Sequence, residues 1–244
     1  MQSTEKRPRQ AGFSLTELMF TIGAILVLAG MVFPATGYVQ NRARRNVCLN
    51  NLRQWGMALG SYLDDHGGVF PSWDDGGTCW YNVLPPYVGV PRMSEMQKDQ
   101  TVPTPGGGTR TPFLCPADRG SALDDELSES DRSRPYSSYA ANVWLDNPAN
   151  SAPYTKRLRM QQLRHPSTFV VLAETGHGSK PGVSLANVYA DGGRDSGFRH
   201  HRAINLCFAD GSAGSFAQEK IWQDGLSEED NFGGLVWNPN QDKN

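Results

Sequence analysis

The chain has 244 residues, 38% of them hydrophobic, and a formal net charge of −2. This composition suits one or two globular cores and excludes a polytopic membrane protein. Because neither sign of charge forms a long run, the sequence presents no electrostatic surface for nucleic acid, and we expect no such partner. The four cysteines include no CxxC pair, which argues against a thiolate metal site and against thioredoxin chemistry.

The first predicted element is the apolar segment from Phe13 to Phe33. Its 21 residues would span about 31 Å as a helix, close to the thickness of the hydrocarbon core of a membrane. Polar residues with three cations precede the segment and three arginines follow it, so the positive charges leave its orientation open. The single charged residue within the segment is Glu17.

Three kinds of N-terminal signal are compatible with an apolar segment of this kind. A secretory signal would be cleaved after Ala29 and would release a soluble domain that starts near Gly30. A lipoprotein signal would need a cysteine at that point, and none occurs before Cys48. Cleavage between Gly12 and Phe13 would instead leave the apolar helix on the mature protein.

Glu17 favours the third kind of signal. A carboxylate inside a membrane helix costs about 2.5–3.5 kcal/mol unless it is paired. Of the three signals, only cleavage before Phe13 explains a charge at this position. The local alternative is a capping box, in which Ser14 is the N-cap and Glu17 lies three residues later.

The residues from Gly12 to Glu17, GFSLTE, followed by an apolar run, resemble the class III signal of type IV pilins and type II secretion pseudopilins. The resemblance implies that a prepilin peptidase cleaves after Gly12 and N-methylates Phe13. It also implies that Glu17 pairs with the terminal amine of a neighbouring subunit in a filament. Thr16 departs from the Ile or Val usual in the family, and Pro34 falls where many pilins kink this helix.

Residues 36–66 are predicted to continue the helix as an amphipathic half. The helix is predicted to end at Gly67 and Gly68, which can adopt the left-handed conformation of a C-cap. Counted from Phe13, it would contain about 50 residues and extend about 75 Å. Its apolar seam consists of Cys48, Leu52, Trp55, Leu59 and Tyr62.

The remaining residues, 67–244, are predicted to form a globular head. Strands are expected at 137–145, 167–176 and 204–211, and one short helix at 157–166. We therefore predict a pilin-like α+β fold, in which a long N-terminal helix with a membrane-spanning first half packs on a small antiparallel sheet with long loops. The loops are expected at 98–112 and 121–135. The predicted segments are a leader (1–12), a membrane or filament-core helix (13–35), the amphipathic helix (36–66) and the head (67–244).

Six fragments of the chain also resemble, in the same order, the large family of prepilin-like proteins with an H-x9-DG motif near the C-terminus. The motif is carried by His200, Asp210 and Gly211 within residues 200–211. Ser-Ala follows the motif where the family often has His-Val, and Glu174 stands where Asp is frequent. The fragments are CLNNLRQWGMALGSYLDDHGGVFP, WYNVLPPYVG, FLCPAD, SSYAAN, RHPSTFVVLAETG and RHHRAINLCFADGSAGSF.

The H-x9-DG motif is predicted to be structural. If a strand separates His200 from Asp210, the two residues lie up to about 33 Å apart, too far to bind one metal ion. Asp210-Gly211 is predicted to be a hairpin turn, in which Asp accepts backbone hydrogen bonds and Gly takes a positive φ. Related pseudopilins can hold calcium in this region, so Asp191, Asp195 and Asp210 are calcium candidates, although their spacing matches no calcium loop. We expect no other cofactor.

A head outside the cytoplasm would meet an oxidising compartment, where four cysteines allow two disulfides in three connectivities. The family resemblance implies the pair Cys48–Cys115 and leaves Cys79 with Cys207. Four buried thiols are the alternative. A nucleophile made of Cys207 with His200 or His201 is a further, enzymatic alternative.

These features predict a non-enzymatic subunit of a type IV pilus or of a type II secretion pseudopilus. We expect a single-pass protein of the cytoplasmic membrane with its head outside the cytoplasm, assembled into a periplasmic or surface filament. Its expected partners are prepilin peptidase, the membrane and other pilin or pseudopilin subunits. The mature chain of 232 residues, with a net charge of about −4 from 20 positive and 24 negative residues, is long for a repeating subunit and favours a minor one.

Two other classes of function stay open. One is a membrane-anchored or secreted module that binds a glycan or surface ligand and is not assembled into filaments. The other is an anchored hydrolase, which would need an acid–base pair that the sequence does not reveal. The aromatic residues that could form a sugar platform are Trp73, Trp80, Tyr81, Tyr87, Trp144 and Trp222.

Overall fold

The computed structural model describes residues 14–73, 76–104, 110–118, 136–146, 157–175, 182–183, 199–221 and 235–237. Among these, the side chains of residues 31–36, 76, 182–183 and 218 are not described. The fold is α+β, as predicted. The chain divides into two compact units, Met1–Arg42 and Ala43–Asn244.

The longest element is helix α1, Leu15–Asp65, with 51 residues. It begins where the carbonyl oxygen of Ser14 accepts a hydrogen bond from Leu18 N at 3.2 Å. It ends at Asp65, and Gly67 and Gly68 just beyond it have φ angles of 61° and 76°. Gly68 N donates to Leu63 O at 2.8 Å, a bond typical of Schellman ends. The predicted length of the helix and its predicted end at these glycines are therefore confirmed.

The described residues contain no helix that combines the length and the apolar character needed to cross a membrane. Position 34 lies within α1. The side chain of Pro34 is outside the described residues, and the kink predicted there stays a prediction.

The apolar seam of the second half of α1 is buried, as predicted. Cys48, Leu52, Trp55 and Leu59 are fully buried and Tyr62 is nearly so. The seam belongs to a large hydrophobic core, which we call the first core, together with residues of the loops and of one face of the sheet. Residues from outside the helix in this core include Phe70, Trp80, Phe113, Tyr139, Leu158, Phe169, Leu172 and Cys207.

The described residues form a sheet of five strands: β1 (Tyr139–Asn142), β2 (Val170–Glu174), β3 (Gly182–Val183), β4 (Ala203–Phe208) and β5 (Ala213–Ala217). Their order across the sheet is β3-β1-β2-β4-β5. Strands β1, β2, β4 and β5 pair antiparallel, and the two-residue strand β3 runs parallel to β1 at one edge. The predicted antiparallel sheet is therefore present, with one short parallel addition.

Both faces of the sheet are covered. Along β4, Ile204, Leu206 and Phe208 belong to a second hydrophobic core, whereas Cys207 belongs to the first core. This alternation is the period-2 pattern of a strand. The second core is completed by Ile221, Leu235 and Trp237 from the C-terminal part of the chain.

Two predicted elements differ from those observed. The strand expected at 137–145 is limited to β1, because the Asn142 side chain accepts a hydrogen bond from Trp144 N and caps a 3₁₀ turn at Val143–Leu145. The helix predicted at 157–166 is wrong, since only a 3₁₀ turn at Met160–Gln162 forms there. The backbone before this turn pairs with residues 68–70 instead, and long-range pairing overrides the local helix preference.

The other α-helices in the described part of the chain are short: α2 (Trp80–Val83), α3 (Met93–Lys98) and α4 (Gln218–Ile221). Two further 3₁₀ turns lie at Gly76–Thr78 and Pro85–Val88. The loop predicted at 98–112 is described only at its two ends, and the loop predicted at 121–135 lies outside the described residues.

Candidate functional site

Four buried side chains meet where the second half of α1 contacts the head: Cys48, Cys115, Glu174 and His200, which we call the junction cluster. Their sulfur, carboxylate and ring nitrogen atoms all lie within 4.8 Å of one another. Cys48 is on α1, Glu174 ends β2 and His200 precedes β4. Cys48 and Cys115 form a disulfide with their Cα atoms 5.1 Å apart, so the pairing implied by the family resemblance is present.

An irregularity in β2 turns Glu174 towards the first core. The register between β2 and β4 shifts between Val170 and Leu172, so that Val170 faces the second core and Leu172 the first. Glu174, two residues beyond Leu172, lies directly opposite Tyr139 of β1. Opposite residues in antiparallel strands project on the same face, and the Tyr139 side chain lies in the first core.

The carboxylate of Glu174 accepts hydrogen bonds from several donors. Asn205 N donates to one oxygen at 2.8 Å, and Asn205 Nδ2 and His200 Nε2 lie 3.1 Å and 3.0 Å from the other. A buried carboxylate without such donors would be strongly destabilising. His200 Nε2 is also 3.4 Å from Cys115 Sγ, so this histidine joins the carboxylate to the disulfide.

A second polar group holds the Cys115 loop in place. The hydroxyl of Ser138 donates to Asp118 at 2.6 Å and accepts from Cys115 N at 2.9 Å. Arg199 forms an ion pair with the same oxygen of Asp118 at 3.0 Å. It also donates to the backbone carbonyls of Ser138 and Thr175. These contacts connect the loop, the start of β1 and the turn that carries His200.

Tyr139 extends the polar contacts to α1. Its hydroxyl lies 3.3 Å from Asn51 Nδ2 and donates to Cys48 O at 3.5 Å. Burial raises the pKa of Tyr139 well above its usual value, and the nearby charge of Glu174 raises it further. The phenol is therefore neutral over the physiological pH range.

The two ends of the H-x9-DG motif make separate contacts, one with the disulfide that joins α1 to the Cys115 loop and one with the backbone of α1. Gly211 has a φ of 82°, and Asp210 Oδ1 accepts hydrogen bonds from Ser212 N and Oγ at 2.9 Å and 2.6 Å. These residues form the turn between β4 and β5, the hairpin that the sequence predicts. A Cβ atom added to Gly56 would lie 2.1 Å from Gly211 O, so the turn packs directly on the backbone of α1.

The motif therefore secures β4 to α1 at both ends of the strand. At one end His200 contacts the disulfide of Cys48, and at the other Gly211 contacts Gly56, eight residues further along α1. Eight helical residues correspond to about 12 Å, roughly two turns. Sequence reasoning identified His200, Asp210 and Gly211 but not their contacts.

Several residues of the site were not identified as such from the sequence. Asp118, Arg199, Asn205 and Gly56 carried no motif of their own. The usable signals were a glycine in the middle of a helix, where it is otherwise unfavourable, and a glutamate at the end of a buried apolar run. In the sequence, Glu174 stands out only as a departure from the family pattern.

The predicted disulfide between Cys79 and Cys207 is wrong. Both residues carry buried thiols. Cys79 Sγ donates to Trp73 O at 2.9 Å, and Cys207 Sγ points to Phe208 O at 3.7 Å. Burial raises the pKa of Cys207 to about 12, which disfavours the thiolate form that a Cys–His nucleophile uses.

The N-terminal site is described in part. Gly12 and Phe13 lie outside the described residues. Glu17 Oε2 accepts a hydrogen bond from Ser14 N at 3.1 Å, while the Ser14 hydroxyl bonds to Thr16 Oγ1 at 2.7 Å. Half of the capping box is thus formed, and the serine hydroxyl does not cap the helix.

Other predicted candidates are dispersed. Asp191, Asp195 and Trp222 lie outside the described residues, so the calcium option is untested, and Asp210 is engaged in its own turn. Trp80 and Trp144 are buried, and Trp73 and Tyr81 pack against the first core. Tyr87 is 37% exposed, and its hydroxyl donates to Asp65 at 2.8 Å.

One cavity of about 410 Å³ lies between the end of α1 and the β4–β5 turn. Its polar lining includes Asp64, Gln161 and Asp210, and Gly67 and Gly68 provide backbone. It is open and does not reach the junction cluster.

Comparisons of the chain with models of protein families, with curated proteins and with solved structures find no match.

Proposed function

We propose that this protein is a non-enzymatic subunit of a type IV pilus or a type II secretion pseudopilus. The observation that carries the proposal is the GFSLTE signal, whose last three residues begin a 51-residue helix with exposed apolar side chains from Leu15 to Leu28. In this proposal prepilin peptidase cleaves after Gly12 and methylates the new amino terminus of Phe13.

The exposed side chains are large and numerous. Leu15 is 76% exposed and Phe20 80% exposed, values unusual for such residues in a chain that stays monomeric in water. Apolar side chains around the whole circumference of a helix need a membrane or neighbouring helices to cover them. The set consists of Leu15, Leu18, Met19, Phe20, Ile22, Ile25, Leu26, Val27 and Leu28.

We propose that residues 13–33 lie in the cytoplasmic membrane before assembly, with the head outside the cytoplasm, and form the filament core afterwards. Phe13 and the side chains of residues 31–33 are outside the described residues. The proposal therefore rests on the length and apolar composition of this segment in the sequence.

Glu17 supports the assembly step. Among the described residues, Glu17 accepts a hydrogen bond from the backbone N–H of Ser14, and this uncharged donor does not neutralise the carboxylate. A cationic amine from a neighbouring Phe13 would do so, and the pairing would select one register between subunits.

The junction cluster supports a mechanical role for the head. A subunit that is pulled from the membrane by α1 needs a firm attachment between α1 and the head. The disulfide at Cys48 and the contact of Gly56 with Gly211 provide two such attachments.

A secreted or anchored binding module is the competing function. The 410 Å³ cavity with Asp64 and Asp210 is the observation that favours it. The buried positions of Trp80 and Trp144 argue against a sugar platform formed by those two rings.

The test is the N-terminal mass of the protein from membranes and from sheared surface material, in cells that contain a prepilin peptidase. An N-methylated Phe13 in both fractions supports a surface filament, and the same start in membranes alone supports a pseudopilus or an anchored head. A start near Gly30 in soluble material overturns the proposal.

The registering role of Glu17 is tested separately. We expect Glu17→Ala to be processed normally but to be lost from filaments. Thr16→Val, which introduces a residue usual in the family, is the matched control and should assemble. Normal incorporation of the Glu17→Ala variant would contradict the pairing.

A further inference from the structure

We propose that the junction cluster binds a zinc ion when the Cys48–Cys115 disulfide is reduced. In this form the two thiolates, the imidazole of His200 and the carboxylate of Glu174 are the four ligands. The inference is independent of filament assembly and concerns only how α1 is joined to the head.

The ligand types suit zinc. Zinc in structural sites takes four ligands in a tetrahedron, chiefly Cys sulfur and His nitrogen, with carboxylate oxygen also used. With usual bond lengths, the edges of such a tetrahedron are about 3.3–3.8 Å. His200 Nε2 already lies 3.4 Å from Cys115 Sγ and 3.0 Å from Glu174 Oε1. Only small side-chain movements are therefore needed to place one ion between them.

The surroundings also suit a metal site. All four residues are buried, so water would not compete for the ion. Asn205 N and Nδ2 donate to Glu174 and orient its carboxylate, as hydrogen-bond donors commonly do around metal ligands. Asn205 Oδ1 is buried and has no hydrogen-bond partner among the described residues. The side chain that orients Glu174 therefore also has an acceptor atom that accepts no hydrogen bond in the described structure.

The zinc site would form in two steps, reduction of the disulfide and binding of the ion. A dithiol reductant transfers two electrons and two protons to the disulfide, and its own two thiols become a disulfide. Cys48 and Cys115 then each release one proton as their sulfur atoms bind Zn²⁺. Two thiolates and one carboxylate leave a net charge of −1 at the site, compared with −3 for the same ligands without the ion.

The oxidised cluster offers no equivalent site. Its sulfur atoms are bonded to each other, and His200 and Glu174 are paired with each other. Zinc and the disulfide are therefore alternative connections between α1 and the Cys115 loop. A chain that folds before it is oxidised could use the metal for the same attachment.

The experiment uses the full chain in detergent, purified in its oxidised form and then reduced with a dithiol that is removed before the measurement. Zinc content after gel filtration is determined by elemental analysis, and cobalt replaces zinc for absorption spectra. We expect one zinc per reduced chain, a tetrahedral cobalt spectrum with sulfur charge-transfer bands, and no zinc on the oxidised chain. A reduced chain without zinc would overturn the proposal.

Variants identify the ligands. His200→Ala and Glu174→Gln should each weaken zinc binding by at least about 100-fold, because even the loss of a hydrogen-bond partner of a ligand costs about 10–100-fold. His200→Cys, which restores a ligand, should retain binding. Cys79→Ser and Cys207→Ser are matched controls that remove thiols outside the cluster and should bind as well as the parent chain. Equal binding by the His200→Ala or Glu174→Gln variant, or loss of binding in a control, would overturn the ligand set.

Folding is checked on the same samples. Each variant is first shown to unfold cooperatively in its oxidised form, where the disulfide maintains the attachment. Zinc should then raise the melting temperature of the reduced parent chain but not that of reduced His200→Ala. A zinc-independent melting temperature of the reduced parent chain would contradict binding at the junction cluster.

Discussion

The two halves of α1 carry apolar side chains in opposite surroundings. From Leu15 to Leu28 these side chains are exposed, whereas the seam from Cys48 to Tyr62 is buried against the head. The same secondary structure thus serves two purposes. The second half is stabilised within its own chain, whereas under the proposed function a membrane or neighbouring subunits would cover the first half.

The comparison predicts that substitutions in the second half change the stability of the head, and that substitutions in the first half change insertion or assembly. Four substitution experiments test this division, in order of decreasing expected effect on stability.

Removing the disulfide should have the largest effect. Cys48 and Cys115 are 67 residues apart in sequence, and closure of a loop of that length contributes about 4 kcal/mol. Cys48→Ala with Cys115→Ala should lower the free energy of unfolding by about this amount in chemical denaturation. The control is Cys79→Ala with Cys207→Ala, a pair that forms no disulfide.

Gly56→Ala should have the second largest effect and lower the free energy of unfolding by about 3 kcal/mol. Its Cβ would lie 2.1 Å from Gly211 O, a backbone atom that cannot rotate away. Gly60 is one turn further along α1, and a Cβ there meets nothing within 4 Å. Gly60→Ala should therefore stabilise the chain by about 0.5–1 kcal/mol through helix propensity. Equal losses in both variants would show that the contact with Gly211 is unimportant.

Cys207 predicts an effect of pH on the head. Its folded pKa of about 12 is above the ordinary value of 9.0, so the folded chain keeps a proton that the unfolded chain loses. Its contribution to stability is complete below pH 9 and is lost as the pH rises towards 12, by at most about 1.4 kcal/mol per pH unit. The raised pKa of Tyr139 likewise makes the folded chain less stable as the pH rises.

The measurement is chemical denaturation between about pH 8 and about pH 11. This range begins near the usual pKa of a thiol and covers most of the expected loss of stability. Cys207→Ala should show a weaker loss of stability with pH than the parent chain, while the part due to Tyr139 remains. Identical slopes would contradict a buried, protonated Cys207.

The smallest effect on stability is expected in the first half of α1. Phe20 is 80% exposed, so Phe20→Ser should change the free energy of unfolding of the head by less than about 0.5 kcal/mol. Under the proposed function the same variant should be recovered less in membranes or filaments, measured by fractionation. A large loss of head stability would break the distinction between the two halves.

The local features of this chain follow from sequence patterns. The buried seam of α1, the end of the helix at Gly67–Gly68 and the Asp210–Gly211 turn depend on residues a few positions apart. Helix periodicity and turn chemistry act over such distances, and these elements could be predicted. The GFSLTE signal is likewise a short, continuous feature.

The contacts of the site depend on residues far apart in the chain, and the tertiary structure decided them. Glu174 reaches the junction cluster because β2 is irregular beside β4, and His200 meets Cys115 across 85 positions. Residues 157–166 do not form the predicted helix because their backbone pairs with residues 68–70. Cys79 and Cys207 stayed thiols because packing, and not the number of cysteines, determines which sulfur atoms can meet.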